Sequence, residues 1–259
     1  MIDTHSHIYA EEFDTDRNEA IARAKAAGVE LLLLPDIDAE SRPRMLQLAT
    51  EHPDYCRPMV GLHPTSVNDN PRWRDELTMV EGLLQKPPMR LYGVGEIGLD
   101  LYWSKDFHRE QREVLHAQIE LALQYDLPVA IHTRSAYDEM YDALATYRGR
   151  GLRGVLHAYA DSAERALKFA KLADIYFGVG GVVTFKNAGL DKEIAQLPLE
   201  LLLVETDCPY LTPAPHRGKR NESAYTEHIC RKVAELHNTT MEQVDSLTTA
   251  SAKLLFRLD

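Results

Sequence analysis

The chain has 259 residues, 44% of them hydrophobic and 27% charged, with a formal net charge of −11. This is ordinary for a soluble globular protein with a large core. The charge argues against a general polyanion-binding surface, though not against an anionic substrate held by cations inside one pocket. No apolar run approaches the roughly 20 residues that span a bilayer, and three cysteines without a C-x-x-C pair argue against a disulfide framework.

Apolar strand-like runs alternate with helical stretches along the chain. Residues 2–7 read as a first strand, and 16–27 as a helix that stops at Gly28. A near-continuous apolar strand over 30–34 ends at Pro35, and a helix near 42–51 leads to a third strand over 57–62. A helix over 73–85, a strand over 91–96 and a long helix over 108–125 follow. The fifth strand is 128–132, then a helix near 137–147, a strand over 154–157 and a helix over 162–172. The seventh strand, 174–179, and a short helix near 191–196 precede the eighth, 201–205. Beyond Asp207 come a Pro-rich loop and two or three helices, one opened by a capping box at Thr240-Met241-Glu242-Gln243.

Eight continuously apolar strands with intervening helices predict an α/β fold, a single closed parallel (β/α)8 TIM-type barrel with extra C-terminal helices, occupying 1–259 as one domain. No leader sequence precedes the first strand, so the cytoplasm is the expected location.

In such a barrel, catalytic groups sit at the C-terminal ends of strands. His5 and His7 close strand one, and residues two apart on a strand point to the same face. Strand three runs into His63, strand four ends at Glu96, strand five at His132, strand six at His157, and strand eight at Glu205-Thr206-Asp207. Five histidines and several carboxylates on one rim are costly to bury without a cation, so the pattern predicts a metal site. His5, His7, Glu96 and Asp207 can hold one ion, and Glu96, His132 and His157 a second. Glu96 would bridge the two, because a carboxylate has two oxygens. The other histidines read as solvated or packing residues, with His216 the one to watch beside a basic loop.

The chain resembles TatD-family metal-dependent deoxyribonucleases, within the metallo-dependent hydrolase barrels. The likeness covers nearly the whole sequence. It rests on Ile2-Asp3-Thr4-His5-Ser6-His7, Gly61-Leu62-His63-Pro64, Gly95-Glu96-Ile97-Gly98-Leu99-Asp100 and Leu127-Pro128-Val129-Ala130-Ile131-His132. It rests further on Glu205-Thr206-Asp207-Cys208-Pro209-Tyr210-Leu211 and Arg217-Gly218-Lys219-Arg220-Asn221-Glu222. The resemblance implies metal-dependent DNA hydrolysis, often exonucleolytic, and ligand roles at His5, His7, Glu96, His132, His157 and Asp207. This chain departs from the family pattern after His157, where it has Ala158-Tyr159-Ala160-Asp161, and at Ser223, where a proline is common. Neither departure removes a ligand.

The expected reaction is phosphodiester hydrolysis of DNA, single-stranded or at 3′ ends, by a metal-activated water. The alternative is a metallohydrolase of the same barrel acting on a small phosphate ester, amide or lactone. A non-enzymatic metal scaffold is the other contrasting reading. Asp207 is the candidate general base, or a ligand only. Glu205 either orients a ligand or water or forms a structural ion pair. His63 contacts a phosphate oxygen, protonates the leaving group, or packs. Arg217, Lys219 and Arg220, with Lys186 and Arg134, are the candidate phosphate contacts. Tyr102 and Trp103 either stack on a base or plug the barrel mouth. Cys208 has the wrong parity for a ligand. Four imidazoles favour Zn, Mn, Ni or Fe over Mg, with Mg or Mn admissible in activity. No membrane partner and no obligate protein partner is indicated.

Overall fold

Eight parallel strands alternate with helices in the computed structural model, which describes residues 1–258. In chain order, β1 (Ile2–Asp3), α1 (Arg17–Ala26), β2 (Leu31–Leu34), α2 (Arg42–Glu51), β3 (Cys56–Pro58) and α3 (Trp73–Gln85) form the first part. There follow β4 (Val94–Asp100), α4 (His108–Gln124), β5 (Val129–Arg134), α5 (Tyr137–Ala145), β6 (Arg153–Leu156) and α6 (Ala163–Ala170). The last part comprises β7 (Asp174–Val179), α7 (Leu190–Ile194), β8 (Leu202–Val204), α8 (Thr226–Leu236) and α9 (Met241–Phe256).

The strands form two ladders, β1 to β3 and β4 to β8, each in sequential order and parallel throughout. Two isolated bridges, Val60 with Val94 and Ser6 with Cys208, join them into a closed ring. Backbone bonds run along both seams: Gly95 N to Val60 O at 2.9 Å, Thr4 N to Val204 O at 3.2 Å, and Asp207 N to His5 O at 2.8 Å. The barrel expected from the sequence is therefore the one formed.

Alternation along the strands decides which core each side chain enters. Leu32 and Leu34 of β2 pack with Ala20, Ile21, Met45 and Leu48 of α1 and α2. Leu31 and Leu33 point the other way, joining Met59, Ala130, Val155 and Leu203. Ala252, Leu255 and Phe256 of α9 enter that second cluster, with Leu258 just beyond. The end of α9 thus closes the barrel interior on the side away from the strand-end histidines. Among the described residues, α9 is the one α-helix beyond the eight barrel helices, and α8 follows β8 as the eighth.

Helix starts and stops follow the expected residues, with boundaries differing by a few positions. Gly28, at φ +84°, follows α1 in a conformation that other residues adopt at a cost. Thr240 caps α9 by accepting from Gln243 N at 3.2 Å, while the Gln243 side chain pairs with the Thr239 hydroxyl instead. Half of the capping box forms. The larger differences lie at the strands. β1 ends at Asp3 and β3 at Pro58, several residues short of His7 and Leu62, because the chain turns into irregular backbone where the histidines project. β4 instead begins later and runs on to Asp100, with a register shift against β5 between Val94 and Ile97. Glu96 sits within that shift rather than at the strand end. No helix of the described residues is long and apolar enough to cross a membrane.

Candidate metal centre

Glu96 is the hub. Its side chain is 3% exposed, and its two oxygens face different partners. Oε2 lies 3.1 Å from His5 Nε2 and 3.5 Å from His7 Nε2. Those two nitrogens are 3.2 Å apart, and Asp207 Oδ1 stands 3.8 and 3.5 Å from them. Oε1 lies 2.7 Å from His157 Nε2 and 2.9 Å from His132 Nδ1, which are 3.3 Å from each other. Ligand atoms about 2.0–2.2 Å from a shared cation, at octahedral or tetrahedral angles, lie about 2.8–3.6 Å apart. Six of these eight separations fall in that range, and the other two miss it by about 0.2 Å or less. The donor set fits divalent cations on both sides of Glu96.

Outer partners fix which nitrogen each ring turns inward. Tyr9 is buried and donates its hydroxyl to Pro35 O at 2.6 Å, so at its 2.8 Å contact with His7 it accepts from Nδ1. In the neutral ring, which a cation requires, the His7 Nε2 lone pair is left facing Glu96. Asp100 Oδ2 accepts from His132 Nε2 at 2.9 Å, which leaves Nδ1 as that ring's lone pair. His63 is built the other way. Its Nδ1 accepts from Thr65 N at 3.2 Å and meets Thr65 Oγ1 at 2.7 Å, so a proton sits on Nε2, 3.3 Å from Glu96 Oε1. Although grouped with Glu96 and His132 by position, His63 presents an N–H to the site.

A model describing TatD-related DNases matches residues 2–257. The chain belongs to the TatD-related DNase family. An "Uncharacterized metal-dependent hydrolase YabD" of Bacillus subtilis (strain 168) is 38% identical over 264 residues, covering 100% of both chains. A "3'-5' ssDNA/RNA exonuclease TatD" of Pectobacterium atrosepticum is 30% identical over 265 residues, again covering 100% of both. Among solved structures, the TatD homologue YjjV of Escherichia coli K12 superposes with a TM-score of 0.92 at 30% identity, covering 100% of this chain and 98% of that one. Membership makes this TatD-family chain a metal-dependent hydrolase acting on ester bonds.

Electrostatics within the TatD-family centre follow from crowding. Burial pushes the Glu96 carboxyl up, but His157, His63, His5 and His132 outweigh it and hold it well below the usual range. Burial likewise opposes ionisation of Asp207, and His7, His157 and His5 bring its carboxyl down. His7 rises to about 9 despite burial, through Asp207 and Glu96. His5 and His63 are lowered, chiefly by burial.

Glu205 is fully buried and accepts from Ala158 N through Oε1, which also stands 3.7 Å from His157 Nδ1. Its Oε2 and the Nδ1 atoms of His5 and His157 have no hydrogen-bond partner among the described residues. The His5 and His157 rings stack at 3.8 Å. Gly178 makes this arrangement possible, since a Cβ there would lie 2.1 Å from Glu205 Oε2.

A cavity of about 710 Å³ opens over the centre, lined by His7, His63, Glu96, His132, His157 and Asp207. Of the candidate phosphate contacts, only Arg134 is in its lining. Arg220 is engaged elsewhere, paired with both Asp16 oxygens at 2.6 and 2.8 Å. Arg217 lies 3.6 Å over the Phe185 ring, and Lys186 and Lys219 are exposed outside the cavity. His216 meets His228 at 3.2 Å and stacks on Tyr225. Cys208 is buried, 3.2 Å from Ser6 Oγ, as its parity implied. Sequence reasoning assigned no role to Asp100 or Tyr9. Both carried a signal: Tyr9 continues the alternation of His5 and His7, and Asp100 ends a strand paired with the strand of His132.

Proposed function

We propose that this chain is a deoxyribonuclease of the cytoplasm that hydrolyses phosphodiester bonds at single-stranded DNA ends with two divalent cations. The observation that carries the reading is the division of Glu96, one oxygen toward His5, His7 and Asp207 and the other toward His132 and His157. That division suits a pair of cations bridged by one carboxylate. The name of the Pectobacterium relative supports single strands and ends as substrate. Imidazole-rich donors suit Zn, Mn or Ni, and Mg is admissible through the carboxylates.

When bound, the cations supply Lewis acidity and lower the pKa of water. The chain's own residues do the rest. Asp207, on the cavity wall beside the His5 and His7 nitrogens, takes the proton from the attacking water. His63 Nε2–H points into the cavity on the opposite side of Glu96, where it can donate to a phosphate oxygen or to the leaving oxygen. Glu205 aligns the His157 ring. Arg134 contacts the phosphate backbone. Arg217, Lys219 and Lys186 meet only a strand long enough to leave the cavity mouth, while Arg220 is held by Asp16.

The test is a substrate panel of single-stranded DNA, duplex DNA, RNA, a sugar phosphate, an amide and a lactone, with Zn, Mn, Ni and Mg added singly to chelator-treated protein. Cleavage of single-stranded DNA that falls by several orders of magnitude in Glu96→Gln and Asp207→Asn is the expected result. Turnover of an amide or lactone without any phosphoester overturns the reading.

A further inference from the structure

Exposed aromatic residues beside the centre are not accounted for by hydrolysis alone. Trp103 is 68% and Tyr102 57% exposed, and Trp103 lines the cavity. A plug for the barrel mouth would be buried, and these rings are not. Their rings meet edge to face at 5.0 Å, and the Arg134 guanidinium lies 3.8 Å over the Tyr102 ring and 5.4 Å from that of Trp103. The same carboxylate that orients His132 also anchors this group, for Asp100 Oδ1 accepts from Tyr102 N at 3.0 Å and Trp103 N at 3.4 Å. On the far side, Tyr210 (51% exposed) lines the cavity beside Asp207.

Charge points the same way. The net charge is −11, three carboxylates line the cavity, and Arg134 is its only permanently charged cationic side chain. Attraction to phosphate is therefore limited away from the cations, and affinity for a strand must come from elsewhere. Aromatic faces supply it without regard to sequence, because every base has a π-face, and an arginine plane adds to the stack.

We propose that Trp103, Tyr102 and Arg134 form a stacking platform for an unpaired nucleobase next to the scissile phosphate. The proposal rests on the deoxyribonuclease reading and selects single strands, since a base paired and stacked in a duplex offers no free face.

Two measurements on zinc-loaded protein test it. The only other tryptophan, Trp73, is 5% exposed and out of reach of a bound base, so quenching by an oligonucleotide reports on Trp103. A short single-stranded thymidylate oligonucleotide is expected to quench the wild-type emission and not that of Trp103→Phe. In hydrolysis, Trp103→Ala is expected to raise KM for this strand roughly 5- to 150-fold, with most of that recovered in Trp103→Phe. An abasic terminal residue should raise the wild-type KM by a similar factor, and Trp103→Ala should no longer distinguish the two strands. Hydrolysis without quenching, or with KM unaltered in Trp103→Ala, overturns the platform and leaves the nuclease reading standing. Quenching without hydrolysis of any strand overturns the nuclease reading and, with it, the place of the platform beside a scissile phosphate, leaving only a base-binding surface; the absence of both removes both.

Discussion

Asp100→Asn is the sharpest test of how the second half of the centre is assembled. Asp100 is 1% exposed, and its backbone is clamped by Gln111, which accepts from Asp100 N at 2.9 Å and donates to Asp100 O at 3.0 Å. An isosteric amide therefore stays in place. Its oxygen must keep the position that accepts from Tyr102 N and Trp103 N, so its NH2 group falls against His132 Nε2. An NH2 there donates, Nε2 must accept, and the ring proton moves to Nδ1, the nitrogen facing Glu96. His132 then offers a proton where it had offered a lone pair. Loss of such an orienting carboxylate weakens a metal site about 10- to 100-fold, or about 1.4–2.7 kcal/mol. Competition against a graded set of chelators should show one ion weakened by that factor and the other bound as in wild type. Thermal stability of the metal-free protein should change little. Wild-type affinity for both ions, or equal loss of both, would refute the tautomer argument.

Four further outcomes are expected. Tyr9→Phe removes the hydroxyl that holds His7, and should weaken the ion on the His5 and His7 side by about tenfold while sparing the other; chelator competition that shows the opposite order refutes it. Gly178→Ala should destabilise the fold by roughly 1–3 kcal/mol, because the new methyl meets a buried Glu205 with nowhere to move; an unchanged urea midpoint would contradict this. Burial raises the Asp3 carboxyl from 3.8 to about 7. The folded protein keeps that proton after the unfolded chain has released it, so the stability it contributes is full below pH 4 and is lost as pH rises toward 7. Relative to Asp3→Asn, metal-free wild type should lose up to about 4 kcal/mol across that window, as read by urea denaturation, and parallel profiles would count against it. Finally, each ion at 100 times its Kd should add about 2.7 kcal/mol of stability, which a chelator removes in a melting experiment.

The barrel and the clustering of the candidate ligands were legible in the sequence for different reasons. Continuous apolar runs such as 31–34 identify strands covered on both faces, and the rule that chemistry lies at strand ends picked out His5, His7, His132, His157 and Asp207. Glu96 was found although its strand was misplaced, because the irregularity in β4 turns it to the same point a strand end would. Strand lengths were not legible at β1 and β3, where His7 and His63 sit on backbone that bends away from the ladder. Nor was the fate of the basic loop. Arg220 is held by Asp16, 204 residues away along the chain, and no local pattern announces such a pairing. The role of His63 depended on Thr65, whose backbone amide decides the tautomer through a turn rather than through strand alternation.

The helix at the C-terminal end of the chain also sets the traffic through the site. Ala252, Leu255 and Phe256 of α9 fill the barrel from below, so the cavity has no passage through the barrel floor. A strand cannot be threaded through it as through a ring. On the deoxyribonuclease reading, a strand end that reaches the centre finds no exit on the far side, and the cut residue leaves on the side it entered. Release of each cut residue then shares its path with the advance of the strand.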